Sequence, residues 1–162
     1  MSKPKAINLA KDEVLILRTC NADMTSHGRF QWPTSGAVTC PDWRDDYKCG
    51  GGLHGLLWGV GNAGHLSADS SAKWVVFAAK LADVRRGKGD FTDKCKARRG
   101  RVVYAGTKDA ALSLLYAHAP TNDGVFRSAT QTGDGGSATQ TGGGGSATQT
   151  GDGGSATQTG YW

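Results

Sequence analysis

No run of this chain approaches the roughly 18 apolar residues of a membrane span. Its opening, Met-Ser-Lys-Pro-Lys-Ala-Ile-Asn-Leu-Ala, lacks the apolar core of roughly 7–15 residues that marks an export signal. The expectation is a cytoplasmic protein with reduced thiols and no membrane partner. Cys-x-x-Cys pairs are also missing. Cys20, Cys40, Cys49 and Cys95 lie 20, 9 and 46 positions apart, a spacing that fits no zinc pattern. Buried or incidental thiols are expected, with no metal and no cofactor; His27 and His54 would complete a site only if their loops converged. The glycines from Gly50 to Gly61 contain no Gly-x-x-x-x-Gly-Lys-(Ser/Thr) and no clear strand-to-helix dinucleotide turn, which argues against a phosphate cradle. Glu13 is the only glutamate, and the last 35 residues hold neither lysine nor arginine.

Positive charge is therefore concentrated. All 19 Lys and Arg and 12 of the 14 acidic residues precede Ser128, so the first part carries +7 (19 minus 12) and the tail −2. Removing the 35-residue tail from 162 leaves 127 residues, enough for one domain with a modest core. Such a balance favours anionic partners, although it says nothing about fold.

Within residues 1–127, Glu13 to Cys20 (EVLILRTC), Lys73 to Leu81 (KWVVFAAKL) and Arg101 to Gly106 (RVVYAG) read as strands, being short, apolar and β-branched. The following TKDAALSLLYAHAP reads as a helix with Thr107 as N-cap and Pro120 as stop. Its expected apolar face is Ala111, Leu112, Leu115, Tyr116 and Ala119. A second, short helix capped by Ser67 is expected before Lys73. Asn21 to Leu66 reads as a long irregular segment, and loops of that length are uncommon unless functional. The predicted class is α+β: a small mixed α/β domain over 1–127, followed by a short parallel β-solenoid over 128–162.

The irregular segment sets Trp32, Trp43 and Trp58 among Gly, Pro and Cys. One reading makes the tryptophans a small core that holds the loop down. The other makes the loop ligand-facing, with Trp32, His54 and Trp58 as ligand-binding residues. The run DMTSHGRFQWP…CPDW…CGGGLHGLLWG resembles an uncharacterised bacterial and phage-associated domain family. Members have a Phe-Gln-(Trp/Tyr) segment, then a Cys and a Gly-(Leu/Phe)-His element, and some carry Ala-Thr-Asn-Thr-Gly-type repeats. The resemblance spans Leu15 to Gly106 and the tail, and implies no particular activity.

Two further readings concern chemistry. Arg18 at the end of the first strand, a Gly-Leu-His loop and two later strands loosely resemble an ADP-ribosyltransferase-like arrangement. It makes Arg18 and His54 the catalytic candidates, but the acidic residue usual on a late strand is not evident. The stretch Lys80 to Arg101 reads mostly as an exposed basic loop. Its Arg85, Arg86, Lys88, Lys94, Lys96, Arg98 and Arg99 are the candidate nucleic-acid contacts, suited to phosphates rather than bases. Phe91 is its only aromatic, which supports no stacking platform.

The tail repeats Ser-Ala-Thr-Gln-Thr-Gly four times in nine-residue register, opening at Ser128, Ser137, Ser146 and Ser155. A flexible linker needs no register, so the period predicts stacked strands with glycine corners. Alternation groups Ala129 with Gln131, favoured inward, and Ser128 with Thr130 and Thr132, favoured outward. The repeat surface is then Thr130, Thr132, Thr139, Thr141, Thr148, Thr150, Thr157 and Thr159. Such Thr-x-Thr rows resemble ice-binding surfaces and the repeats of ice-nucleation proteins, and the small-residue repeats are comparable to trimeric adhesin heads. Calcium-binding nonapeptides match poorly, because the large apolar position is absent. Tyr161 and Trp162 end the chain inside a corner, as an end plug or where an array was cut.

The leading expectation is a non-enzymatic binding or scaffold protein that self-associates through its tail into a homo-oligomer. The alternatives are a nucleotide- or nucleic-acid-directed enzyme, a basic nucleic-acid binder, and an ice-binding surface. The expected external partner is anionic, a nucleic acid or nucleotide.

Overall fold

A computed structural model describes residues 6–120 and, in the tail, residues 128–132, 137–141, 146–150 and 155–159. The first part contains β1 (Glu13–Cys20), β2 (Gly36–Thr39), β3 (Leu53–Leu57), β4 (Lys73–Lys80), β5 (Val84–Arg85), β6 (Cys95–Ala97), β7 (Arg99–Gly106) and α1 (Lys108–His118). The seven strands form one sheet in the order β2-β7-β4-β1-β3-β6-β5. Every neighbouring pair is antiparallel.

The centre of the sheet is β1 against β4, paired along their whole length from Glu13↔Lys80 to Cys20↔Lys73. Consecutive residues Val14 to Leu17 and Val75 to Ala79 are all buried, so both faces of these strands are covered. On one face α1 packs over β4 and β7 through Ala111, Leu114 and Leu115. On the other, Trp32 lies against Phe77 with ring centroids 5.3 Å apart. Beside β1, Gly55 of β3 has no side chain for a reason: a Cβ there would sit 2.6 Å from the Leu17 carbonyl oxygen.

This architecture corrects the predicted α+β class. The domain is largely β, an open seven-stranded antiparallel sheet with a single helix of α type among the described residues. Asn21 to Leu66 is not simply irregular, since it supplies β2 and β3, and the basic stretch supplies β5 and β6. These strands are two to five residues long, too short to display a period of two. No helix forms after Ser67; the chain there turns on Asp69, whose carboxylate accepts from the Ser71 N–H at 2.8 Å. Thr107 does take the N-cap position of α1, but without a side-chain cap bond. Tyr116, expected on the apolar face, is 66 % exposed, and Leu114 takes its place.

The predicted β-solenoid is also corrected. The repeat strands β8 (Ser128–Thr132), β9 (Ser137–Thr141), β10 (Ser146–Thr150) and β11 (Ser155–Thr159) form two separate two-stranded sheets, β8 with β10 and β9 with β11. Each pair is parallel and in register, matching Thr130 with Thr148, Thr132 with Thr150, Thr139 with Thr157 and Thr141 with Thr159. The expected corners and the Tyr161–Trp162 plug lie outside the described residues, as does the inward or outward facing of the repeat side chains.

Candidate functional site

Three of the predicted residues, Arg18, His54 and Lys94, meet. The β1–β3 pairing sets Arg18 and Thr19 of β1 beside His54 and Gly55 of β3, and these four line one cleft with Leu56, His65, Leu66 and Lys94. The cleft has a volume of about 140 Å³. Arg18 lies 4.3 Å over the Trp32 ring, and its Nη1 and Nη2 donate to the carbonyls of His54 (3.2 Å) and Thr19 (3.4 Å). Its Nε is buried and has no hydrogen-bond partner among the described residues. Burial lowers the Arg18 pKa, because desolvation disfavours the charged form.

His54 stacks on Phe91 at 5.6 Å and accepts the Gly50 N–H at Nε2 (3.3 Å). Burial first, then Lys94, Arg18 and Lys96, push its pKa down to about 4, so the ring is neutral at pH 7. Lys94 reaches the cleft from the bend immediately before β6, with Nζ 3.4 Å from Cys49 Sγ and 5.6 Å from the Phe91 centroid. His65 Nε2 meets the Asp93 carboxylate at 3.1 Å, and Asn62 donates to the same oxygen at 3.2 Å. A larger groove of about 370 Å³ begins on the other side of Lys94, lined by Leu57, Val60, Arg86, Phe91 and Cys95 among others.

The remaining predicted residues separate. Trp32 and Trp58 are buried at 2 % and 8 % exposure, so they form walls and core rather than an open ligand face. Trp32 donates its indole N–H to Ser26 Oγ at 3.0 Å. Trp32 and Trp58 belong to the main hydrophobic core and Trp43 packs against it beside Lys96 and Arg85, so the tryptophans join the domain core rather than form a small core of their own. Of the basic residues, Arg86, Lys88, Arg98 and Arg99 are exposed and Lys94 is half-buried. Arg85 pairs with Asp45 at 2.6 Å and Arg99 with Asp83 at 3.1 Å. Lys96 is fully buried and cannot touch a nucleic acid. The loop reading of this stretch fails there because Phe91, Cys95, Lys96 and Ala97 are all core.

Sequence reasoning missed Thr19, His65 and Leu66 as cleft residues. His65 sits 11 positions beyond His54 in the chain and joins the cleft only through tertiary placement. The cleft offers a cationic, hydrogen-bonding surface; beside it the Asp93 carboxylate is engaged by His65 and Asn62, and in the neighbouring groove burial pushes the Cys95 thiol up to about 12. Among the described residues no cluster of three His, Cys, Asp or Glu side chains is placed to hold a metal, and no helix is long and apolar enough to cross a membrane.

The family described as Domain of unknown function (DUF7666) matches residues 14–114. An ice nucleation protein of Pseudomonas fluorescens is 36% identical over 107 residues, covering 66% of this chain and 9% of that protein. Ice nucleation protein InaU of Pantoea ananas is 36% identical over 119 residues, 68% of this chain and 10% of that protein. An ice nucleation protein of Xanthomonas campestris pv. translucens is 34% identical over 109 residues, 67% of this chain and 7% of that protein. The chain thus spans about a tenth of the length of these relatives. No solved structure matches. Since the relatives are so much longer, the ends of this chain carry no information about export, and the expectation of a cytoplasmic protein is withdrawn.

Proposed function

The chain belongs to the family described as Domain of unknown function (DUF7666), and from that premise we propose that it is a non-enzymatic scaffold whose repeat tail binds ice. The observation that carries this reading is the likeness to ice nucleation proteins from several bacteria across about two thirds of the chain. The backbone register of the tail supports it. Threonine is matched to threonine in both parallel pairs, so hydroxyl-bearing positions recur at the inter-strand spacing of about 4.8 Å. Hydrogen-bonded water oxygens about 2.75 Å apart place tetrahedral second neighbours at about 4.5 Å, a comparable repeat. In this reading residues 1–127 form the attachment domain and 128–162 the working surface, which also mediates self-association.

The test is partition into a slowly advancing ice front. The chain is expected to be enriched in the ice fraction. The variant carrying Thr130→Lys, Thr132→Lys, Thr148→Lys and Thr150→Lys is expected to lose about tenfold of that enrichment, equivalent to about 1.4 kcal/mol. Rejection of the unaltered chain from the ice, to the same extent as a non-binding control protein, overturns the reading.

A further inference from the structure

The cleft beside β1 and β3 has no role in the proposed ice binding, and its chemistry points to a ligand. Arg18 spends two of its five N–H groups on carbonyls, at 3.2 and 3.4 Å, and makes no salt bridge among the described residues. Lys94 has a sulfur and a ring face for neighbours and likewise no carboxylate partner among the described residues. Buried cations are normally paired, and a buried N–H without an acceptor calls for a water or an ion. Among the described residues, two half-buried cations, Arg18 with its sealed and unpartnered Nε and Lys94 with no carboxylate partner, converge here on one cleft. The nearby acids are occupied: Asp93 by His65 and Asn62, and Asp42 by the Cys40 thiol at 3.1 Å.

We propose that the cleft lined by Arg18, Thr19, His54, His65 and Lys94 binds a phosphate-sized oxyanion. Its volume of about 140 Å³ is ample for a small tetrahedral anion and accompanying water. A phosphate monoester enters with its body lying in the larger groove beyond Lys94, past Phe91 and Arg86. Burial does most to keep His54 neutral, and Lys94, Arg18 and Lys96 add a positive field of the sign that draws an anion. Trp32 beneath the guanidinium holds Arg18 in place before any ligand arrives. This inference is independent of the ice-binding reading of the tail.

The probe is inorganic phosphate, followed by amide and arginine side-chain NMR at fixed ionic strength set with sodium chloride. Saturable shifts at the Arg18 Nε–H and around His54 are expected, with a Kd of about 1 mM. Lys94→Gln is expected to weaken binding about tenfold, while Lys80→Gln, far from the cleft on the exposed end of β4, leaves it unchanged. Arg18→Gln should abolish it, and because that variant removes a buried group, Lys94→Gln carries the decision if it fails to fold. Glycerol 3-phosphate as a second probe separates sources: binding of both assigns a phosphate ester, and binding of phosphate alone assigns the free ion. No saturable shift with either probe, or equal weakening by Lys80→Gln and Lys94→Gln, overturns the proposal.

Discussion

Lys96 shows how a single residue can reverse the meaning of a charge. Its Nζ has three N–H donors, and three acceptors surround it: the Asp46 carboxylate at 2.7 Å, the Lys48 carbonyl at 3.1 Å and the Gly50 carbonyl at 3.2 Å. The Phe91 and Trp43 rings stand 5.3 and 5.4 Å away, with their negative faces available to the same charge. The side chain therefore straps the loop 46–50 to β6. Gly52 makes room for its stem, since a Cβ there would lie 2.7 Å from Lys96 Cδ. Lys96→Met keeps the length but strands two carbonyls and a carboxylate. Breaking a fully buried pair costs roughly 3–5 kcal/mol, and because Asp46 retains 36 % exposure and can rehydrate, about 2–3 kcal/mol is expected here. Urea unfolding should show that loss, whereas Arg99→Ala, which breaks an exposed pair with Asp83, should change stability by less than about 0.5 kcal/mol.

At the scale of elements, close backbone approach is what the sheet demands of its glycines. An added methyl at Gly55 would meet Ile16 Cγ2 at 2.5 Å and the Leu17 carbonyl at 2.6 Å, on a strand buried from both sides. Overpacking of this kind costs about 1–3 kcal/mol, so Gly55→Ala is expected to lower stability by about 2 kcal/mol in the same unfolding measurement, while Gly28→Ala, with nothing within 4 Å but a φ of 70°, should cost about 1 kcal/mol through backbone strain alone. The same strand explains what could be read in advance. β1, β4, β7 and α1 were legible because each is eight or more residues long and carries a continuous apolar run or a helix stop. In LHGLL the glycine that the packing requires also breaks the β signature, and in CKA the central residue is a lysine whose burial depends on partners 46 to 50 positions earlier. Arg18 and His54 could be picked as candidates from the sequence. Their meeting could not, because it needs the β1–β3 pairing across 36 positions, and His65 and Lys94 join from the turn after β3 and the bend before β6.

Over the whole molecule, proton linkage adds these local environments into one acid response. A group that binds protons more readily unfolded than folded makes stability fall as pH drops between its two pKa values. His54 takes up its proton near 6.5 in the unfolded chain but only near about 4 in the folded one, so its contribution is complete above pH 6.5 and is lost on the way down to pH 4. The full shift corresponds to about 3 kcal/mol, and partial contact with solvent reduces the expected loss to about 2 kcal/mol. Below that window the carboxylates act with the same sign: Glu13 is held below its ordinary range by Arg101, Asp45 by Arg85 and Asp46 by Lys96. At the other end, burial lifts the Cys40 and Cys95 thiols to about 11 and about 12, so the unfolded chain releases protons first and stability falls as pH rises above 9. Stability should consequently form a plateau between about pH 6.5 and pH 9. Thermal unfolding across pH 3 to 8 tests the acid limb. His54→Gln, which keeps an acceptor for the Gly50 N–H, should hold Tm level from pH 6.5 to about 4.5 and then fall with the carboxylates. A Tm that declines over pH 6.5 to 4.5 as steeply in His54→Gln as in the unaltered chain would show that the acid response originates elsewhere in the molecule.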